Sequence, residues 1–456
     1  MNKVHKKLLT LILIVAAFIR LWNLNGIPVS LFGDELDVGY HAYSLLNTGR
    51  DYSGNFLPLH LQSLAEWRTP LYLYSVVPTV AIWGIGPLGV RIPAAIFGIL
   101  GIWGMYLLVR LLTKKENLAL LSALVLTLSP LHIQYSRGAF EVTMLLAFLI
   151  FGVYFFFRSL KEGNFLWVSA TLLVTTPLIY STAKLFTPVL LIYLLFVYRG
   201  SLLKLSKKYL IWGALALLIF GLPTAYSTLF GGGSQRFGYV SVFTDPVTEP
   251  EVGALRLQDF SARQLAGGAE QPTFIDRALH NKYTLWTKKV TDNYLTAFST
   301  QFLFIEGDPN PRHSIKSLGQ FYKFEAVLML LGIITFFALE KDTRLKLLIT
   351  LWTLAGVLPS AITRDGGNHA TRLILMLPSL VFLIAYGTDY LLRAFKGRMK
   401  DVISLLYIGL FVFAVFSYQH NYRLHYPLDS EEWWHAGWGE AIFEVKEREG
   451  DYERVF

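Results

Sequence analysis

The sequence predicts an all-α, polytopic membrane protein, and three observations carry that prediction. Of the 456 residues, 54% are hydrophobic and only 16% are charged, against about 25% charged in soluble domains. The charges fall in short clusters separated by apolar stretches of roughly 20 residues, the length a helix needs to cross a ~30 Å hydrocarbon core. Aromatic residues make up 15% of the chain, as expected where Trp and Tyr belts mark the two interfaces.

The basic balance, 41 Lys+Arg against 32 Asp+Glu, follows from the positive-inside rule, and no nucleic-acid partner is expected. The chain has no cysteine, which excludes disulfides, thiolate metal sites and Cys nucleophiles. The opening MNKVHKK and its apolar run resemble a signal peptide. No small-residue cleavage site follows, and Arg20, Trp22 and Asn23 cap the run, so it reads as a retained first span.

Basic clusters set the topology. They are Lys3, Lys6 and Lys7; Arg110, Lys114 and Lys115; Arg158 and Lys161; Arg199, Lys204, Lys207 and Lys208; Lys341, Arg344 and Lys346; and Arg393, Arg398 and Lys400. With all of them cytoplasmic, eleven spans fall near 8–24, 88–112, 117–133, 141–158, 165–181, 184–198, 209–229, 321–339, 346–362, 371–391 and 401–418. The odd count puts the N-terminus inside a cell (inner, cytoplasmic) membrane and the C-terminus outside it. The outer segments are then 25–87, 134–140, a turn near 181–184, 230–320, 363–370 and 419–456.

Segment 69–83 is apolar but short, and it contains Pro70 and Pro78. Counting it as a span would turn most basic clusters outward, so it reads as an interfacial or re-entrant helix. The stretch 34–48, ended by Gly49, reads as a second interfacial helix. Ionisable residues within the spans sit at the ends: Arg20, Arg91, Glu141, Lys323, Glu325, Arg372 and Asp389. Ion-coupled transporters place such groups near the midplane, so polar chemistry is expected at the outer surface instead.

Five pieces make up that outer chemistry. Asp34 and Glu35 follow the first span, where Asp34 also reads as a helix N-cap and Glu35 as a first-turn anion. Asp37 and Asp51 read as ordinary solvated carboxylates. Arg68 stands before Thr69-Pro70, placed either for a lipid phosphate or as a snorkelling cation beside Trp67. Arg137 and Glu141 lie in a very short turn, where a structural pair and a binding role are both open. Asp308, Arg312 and His313 close the long outer loop, with Asp308 also fit for an Asx turn. Arg364, Asp365, His369 and Arg372 flank a Gly pair. Together these cations and carboxylates suit an anionic lipid-linked substrate and a hydroxyl to be deprotonated.

The order of these pieces resembles the GT-C glycosyltransferases, specifically glycosyltransferase family 39, the protein O-mannosyltransferase and aminoarabinose transferase group. The matching stretches are GDELDVGYHAYSLLNTG, RTPLYLY, GVRIPAAIFGILG, SPLHIQYSRGAFE, YSTAKLFTPVLL, FLFIEGDPNPRHS and HATRLILMLPSL. They cover nearly the whole chain. The resemblance implies a GT-C-like bundle and inverting transfer of a sugar from a polyprenyl phosphate to a hydroxyl of a lipid, glycan or protein on the outer face. Asp34 then matches the general base and Glu35 the residue that positions the acceptor. Arg68 falls where relatives carry a Lys before Pro-Pro, although here the motif reads Arg-Thr-Pro. Arg137, Glu141, Asp308, Arg312, His313 and Arg372 are the remaining substrate-binding candidates. Neither a metal nor a cofactor is expected, because cations can hold the leaving phosphate.

Residues 1–418 are expected to form the membrane module and 419–456 an outer tail. Within the tail, 419–442 reads as a linker leading into an amphipathic helix. DYERVF then reads as the first strand of a small outer domain cut short. A glycan polymerase or ligase would share the outer arginines without needing Asp34-Glu35. A lipid-linked-sugar flippase or transporter would need mid-span charges or inverted repeats, which the sequence does not display.

Overall fold

The structure, a computed structural model, describes residues 2–63, 67–230, 235–267 and 272–451. Helix α1 (Lys3–Leu21) starts at Asn2, whose side chain accepts from the His5 backbone N–H at 2.8 Å. Helix α2 (Gly33–Thr48) stops at Gly49, which has φ 67°, a backbone conformation that glycine adopts without steric cost. A two-residue ladder follows, β1 (Leu61–Gln62) against β2 (Trp67–Arg68), antiparallel with Leu61 opposite Arg68. Helix α3 (Pro70–Trp83) opens on Pro70, where a missing N–H costs nothing.

The membrane helices continue with α4 (Pro87–Thr113), α5 (Glu116–Leu128), α6 (Pro130–Tyr135) and α7 (Val142–Glu162). After them come α8 (Leu166–Val174), α9 (Ala183–Val197), α10 (Arg199–Leu202) and α11 (Lys207–Leu229). The long loop is itself helical: α12 (Gln235–Val240), α13 (Thr248–Leu265), α14 (Phe274–Leu279) and α15 (Lys282–Thr296). The chain then returns as α16 (Glu325–Leu339), α17 (Thr343–Ala361), α18 (Ala370–Leu373), α19 (Leu377–Ala394) and α20 (Gly397–His420). Two helices close it, α21 (Tyr426–Asp429) and α22 (Trp438–Arg448).

A helix stands at each of the eleven expected span positions. Among the described residues, 6 are long and apolar enough to cross a membrane: Pro87–Thr113, Val142–Glu162, Lys207–Leu229, Thr343–Ala361, Ala370–Ala394 and Gly397–Asp429. The helices at 116–128, 166–178, 183–197 and 325–339 are apolar but shorter. The protein is therefore a multi-pass helical membrane protein, while the figure of eleven crossings rests on the charge pattern alone. Helix α3 has 14 residues, about 21 Å at 1.5 Å per residue, and stands with these shorter apolar helices.

Helix α19 is nearly all buried and forms the centre of the bundle, whereas α20 turns Leu405, Leu406, Phe413 and Phe416 outward, as a lipid-facing helix does. The basic clusters gather at one end, where His5 bonds Asn117 at 3.2 Å, Lys115 lies over Tyr386 and Tyr193 donates to the Arg344 carbonyl. The opposite end collects the loops around residues 22–32, 49–63, 67–69, 136–141, 179–182, 240–244, 302–320 and 362–370 through hydrogen bonds between them.

One stretch departs from expectation. Within the expected linker at 419–442, Tyr422, Tyr426 and Trp434 are almost fully buried, while Leu424, Leu428 and Trp433 are exposed. Tyr426 Oη accepts from Gln134 and Trp434 and donates to the Pro311 carbonyl, which ties this segment to the bundle. The amphipathic helix is present as α22. The strand expected at DYERVF lies, beyond Asp451, outside the described residues, as does Glu66.

Helices α16 and α19 cross where small residues let their backbones touch. A Cβ on Gly332 would stand 1.9 Å from the Leu383 carbonyl oxygen, and one on Gly387 2.0 Å from that of Leu328. Both contacts are with backbone, so neither can relax cheaply. Gly387→Val is expected to lower stability by about 3 kcal/mol or more. Thermal unfolding in detergent should show a clear drop relative to wild type, with Gly409→Ala in α20, where a Cβ meets open space, as the neutral comparison. Equal melting of G387V and wild type would refute the crossing.

Candidate active site

The site is built on a buried ion pair. Glu35 and Arg91 are both fully buried, and Arg91 Nε and Nη2 each reach a Glu35 carboxylate oxygen at 2.8 Å. The Ala139 N–H donates to the same carboxylate at 2.8 Å. The remaining Arg91 donors go to the carbonyls of Leu24, Pro28 and Ser30, and its guanidinium lies 5.4 Å from the Trp434 ring centroid. Glu35 therefore binds α2 to α4 and to the 136–141 turn. Its oxygens are engaged within the protein, so its part in any chemistry is to position its neighbours.

Asp34 has the opposite environment. The N-cap position of α2 is Phe32, with no side-chain cap hydrogen bond, so Asp34 is the second helical residue and not the cap. Its side chain is 60% exposed, and Arg68 Nη2 holds Oδ1 at 2.8 Å. Arg68 itself is nearly buried and also pairs through Nε with Asp37. Burial works against its charge, but Asp34, Asp37 and Glu141 raise its pKa above the usual arginine value. Asp37 is not the solvated carboxylate expected: Tyr52 and Ser63 donate to it at 2.7 and 3.1 Å. Asp51 is 2% exposed and accepts from the backbone N–H groups of Ser53 and Asn55, which shapes the 51–55 turn.

Arg137 is committed to the backbone. It donates to the carbonyls of Ile19, Arg20, Trp22, Asn23 and Ile27 and to Tyr422 Oη, and so caps the C-terminal end of α1. Glu141 is the N-cap of α7 and acts on Arg68 through its charge. Arg312 lies over Phe32, 4.9 Å from the ring centroid, which brings a cation to the start of α2.

Beside this cluster opens an apolar slot of about 370 Å³, lined among others by Tyr180, Lys184, Thr228, Phe237, Ile362 and Arg372. Arg372 Nη1 donates to Thr363 Oγ1 at 2.6 Å and to the Arg364 carbonyl at 3.0 Å, which fixes its reach. Thr69, next to Arg68, donates to the Ile179 carbonyl at 2.7 Å, which ties the Arg68 segment to the residue before Tyr180 in the slot wall. His60 bonds Ser227 at 2.6 Å, and burial, then Lys184, pushes its pKa down to about 4. It is neutral at neutral pH and leaves Lys184 as the cation there.

Asp308 accepts from the N–H groups of Asn310 and Ala370 at 2.8 and 2.7 Å, and its Oδ2 stands 3.0 Å from His313 Nδ1. Burial opposes its ionisation, but these contacts hold its pKa below the usual carboxylate range. Asp308 thus does close the expected Asx turn, and it also bridges to α18. The structure gathers Asp34, Glu35 and Arg68 around the start of α2, with Arg312 over Phe32. It places Arg372 in the slot, Arg137 under α1, and Asp308 and His313 in a separate cluster with His369.

Sequence reasoning missed Arg91 as the partner of Glu35, and it missed Lys184. Lys184 had a weak signal: it is a cation at the outer end of an apolar span, as Arg20, Arg91, Lys323 and Arg372 are. Arg91 had none beyond its place at a span end, because its partner is 56 residues away.

Residues 68–226 match the family described as dolichyl-phosphate-mannose-protein mannosyltransferase. No curated protein matches the chain. Among solved structures, the oligosaccharyltransferase of Archaeoglobus fulgidus tethered to an acceptor peptide with the NVT sequon aligns at TM-score 0.56 and 12% identity, over 92% of this chain and 55% of that one. The same organism's AglB with an inhibitory peptide and a dolichol-phosphate gives 0.54 and 13%, over 91% and 55%. ArnT from Cupriavidus metallidurans bound to undecaprenyl phosphate gives 0.51 and 14%, over 90% and 64%. This chain spans 55% to 64% of the length of these proteins. At such identities the likeness is one of fold.

The buried pair makes a stability prediction. Arg91→Met leaves Glu35 ionised and unpaired, which is expected to cost about 3–5 kcal/mol, read as a lowered melting temperature in detergent. Adding Glu35→Gln should recover part of the loss. If R91M melts with wild type, the pair is not the anchor of this end.

Proposed function

We propose that this protein, which has the GT-C fold, is a glycosyltransferase that moves a sugar from a polyprenyl phosphate to a hydroxyl of a lipid, glycan or protein at the extracytoplasmic face of a cell membrane. The observation that carries the reading is the exposed Asp34 carboxylate, pinned by the nearly buried Arg68 beside an apolar slot that holds Lys184 and Arg372. An acid, an apolar channel and two cations at one end of a membrane bundle fit a base, a prenyl tail and its phosphate. The opposite end carries the basic clusters, which supports an extracytoplasmic site and an N-terminus in the cytoplasm.

Under this reading the prenyl chain lies in the slot with its phosphate at Lys184 and Arg372. Asp34 takes the proton of the acceptor hydroxyl as the oxygen attacks the anomeric carbon from the face opposite the phosphate, which inverts that centre. The anomeric C–O bond breaks, and its electron pair leaves with the phosphate. The two cations, already in place, meet the charge that develops there. Arg68 aims Asp34, and Glu35 acts through the helix it anchors.

Full-length protein in proteoliposomes with polyprenyl-phosphate sugars tests this directly. Asp34→Asn should lower the transfer rate by about 10²–10⁴, and Lys184→Gln should mainly raise KM for the lipid donor. The product should carry the anomeric configuration opposite to the donor's. Transfer by D34N at the wild-type rate would remove Asp34 as the base, and retention of configuration would overturn the single displacement.

A further inference from the structure

Besides the Asp34–Arg68 pair, two loops meet at a second cluster, linked to Phe32 at the start of α2 through the Phe140 ring. Asp308 and His313 come from the segment after α15 and His369 from the segment before α18, and one ligand-type atom from each lies within 4.8 Å of the others. The rings of His313 and His369 have centroids 5.0 Å apart. His313 also packs against Tyr135 and, edge-on, against Phe140. Among the described residues this is the one group of three such side chains so placed.

The loops that present these side chains are tightly held. Gly307, with φ 76°, has no room for a Cβ: Ser314 Oγ and the Leu318 carbonyl oxygen would stand 2.2 and 2.6 Å away. A Cβ on Gly366 would stand 1.8 Å from the Ser360 carbonyl oxygen. The Asp308 carboxylate is oriented in advance by two backbone N–H groups, one from each loop. Metal-binding carboxylates are held by such outer hydrogen bonds, which fix their direction.

One carboxylate and two imidazoles form a nitrogen–oxygen donor set. Zn²⁺ takes His nitrogen at about 2.0–2.1 Å and carboxylate oxygen at about 2.0–2.2 Å, so ligand atoms around a tetrahedral ion stand roughly 3.4 Å apart. Contraction by about an ångström, within the reach of side-chain rotation on loops, closes the cluster onto an ion. Ca²⁺ and Mg²⁺ prefer all-oxygen sets, which this is not. Three protein ligands leave a fourth position open.

We propose that Asp308, His313 and His369 bind one divalent transition-metal ion of the Zn²⁺ class, which joins the 307–314 loop to the 364–370 loop three residues before Arg372. The site is independent of the transfer reading, since it uses neither Asp34 nor the slot. It is tested on full-length protein in detergent, stripped with a chelator and dialysed against Zn²⁺, with bound metal counted by mass spectrometry and melting followed in parallel. Wild type should take up one equivalent and melt higher with Zn²⁺ than without. His369→Gln and His313→Gln should each weaken uptake about tenfold or more, and His369→Cys, which returns a zinc ligand, should restore it. The exposed pair His420 and His425, 3.4 Å apart, is the competing site, and H420Q/H425Q should leave uptake unchanged. The proposal is overturned if wild type takes up no Zn²⁺, if H369Q binds as wild type does while melting normally without metal, or if uptake follows His420 and His425.

Discussion

The Glu35–Arg91 pair is the constraint on which the working end of the molecule depends. Two charges with no exposure to water are tolerable only if every donor and acceptor is met. Here all five guanidinium donors have acceptors: two on Glu35 and three on the carbonyls of Leu24, Pro28 and Ser30. The pair thereby fixes the path out of α1, the first turn of α2 and the upper part of α4 at once. Replacing it with apolar side chains could fill the volume, but no hydrocarbon would specify where the 24–30 carbonyls must lie. Asp34 inherits its place from this arrangement, since its buried neighbour on α2 is held from three sides.

Arg137 repeats the device on α1. The last carbonyls of that helix have no intrahelical partners, and a single guanidinium satisfies several of them together with two in the following loop. Arg137, read from the sequence as a substrate-binding candidate, is thus committed to the backbone, as Arg91 is. The cations that line the slot, Lys184 and Arg372, come from α9 and α18. The difference is one of place: Arg91 and Arg137 are spent on carbonyls around the end of α1, whereas Lys184 and Arg372 lie on the wall of an apolar cavity.

Much of the architecture was legible in the sequence because each helix in a membrane must satisfy its own backbone. Apolar length and charge asymmetry located a helix at each expected span position, and Gly49 ended α2 where it was read to end. Proximity across the chain was not legible. Consecutive residues on a helix point about 100° apart, so Asp34 and Glu35 meet water and protein interior respectively, and no pattern tells which is which. The reading of 419–435 as a linker failed for a related reason. Its Tyr and Trp residues are amphipathic enough to suit an interface, and only the positions of Gln134, Pro311 and Arg91 turn them inward. His369 joins Asp308 through a loop contact that leaves no periodic trace.

The burial of Trp434 against Phe32 and Arg91 has a consequence for biosynthesis. Helices leave the ribosome in chain order, so α1, α2 and α4 are in the membrane long before residues 422–434 exist. Until then the outer face of the Arg91 guanidinium lacks its aromatic cover, and Arg137 lacks Tyr422. Residues 422–434 thus complete the packing around Arg91 and Arg137 only after the helices that carry these two arginines have been made.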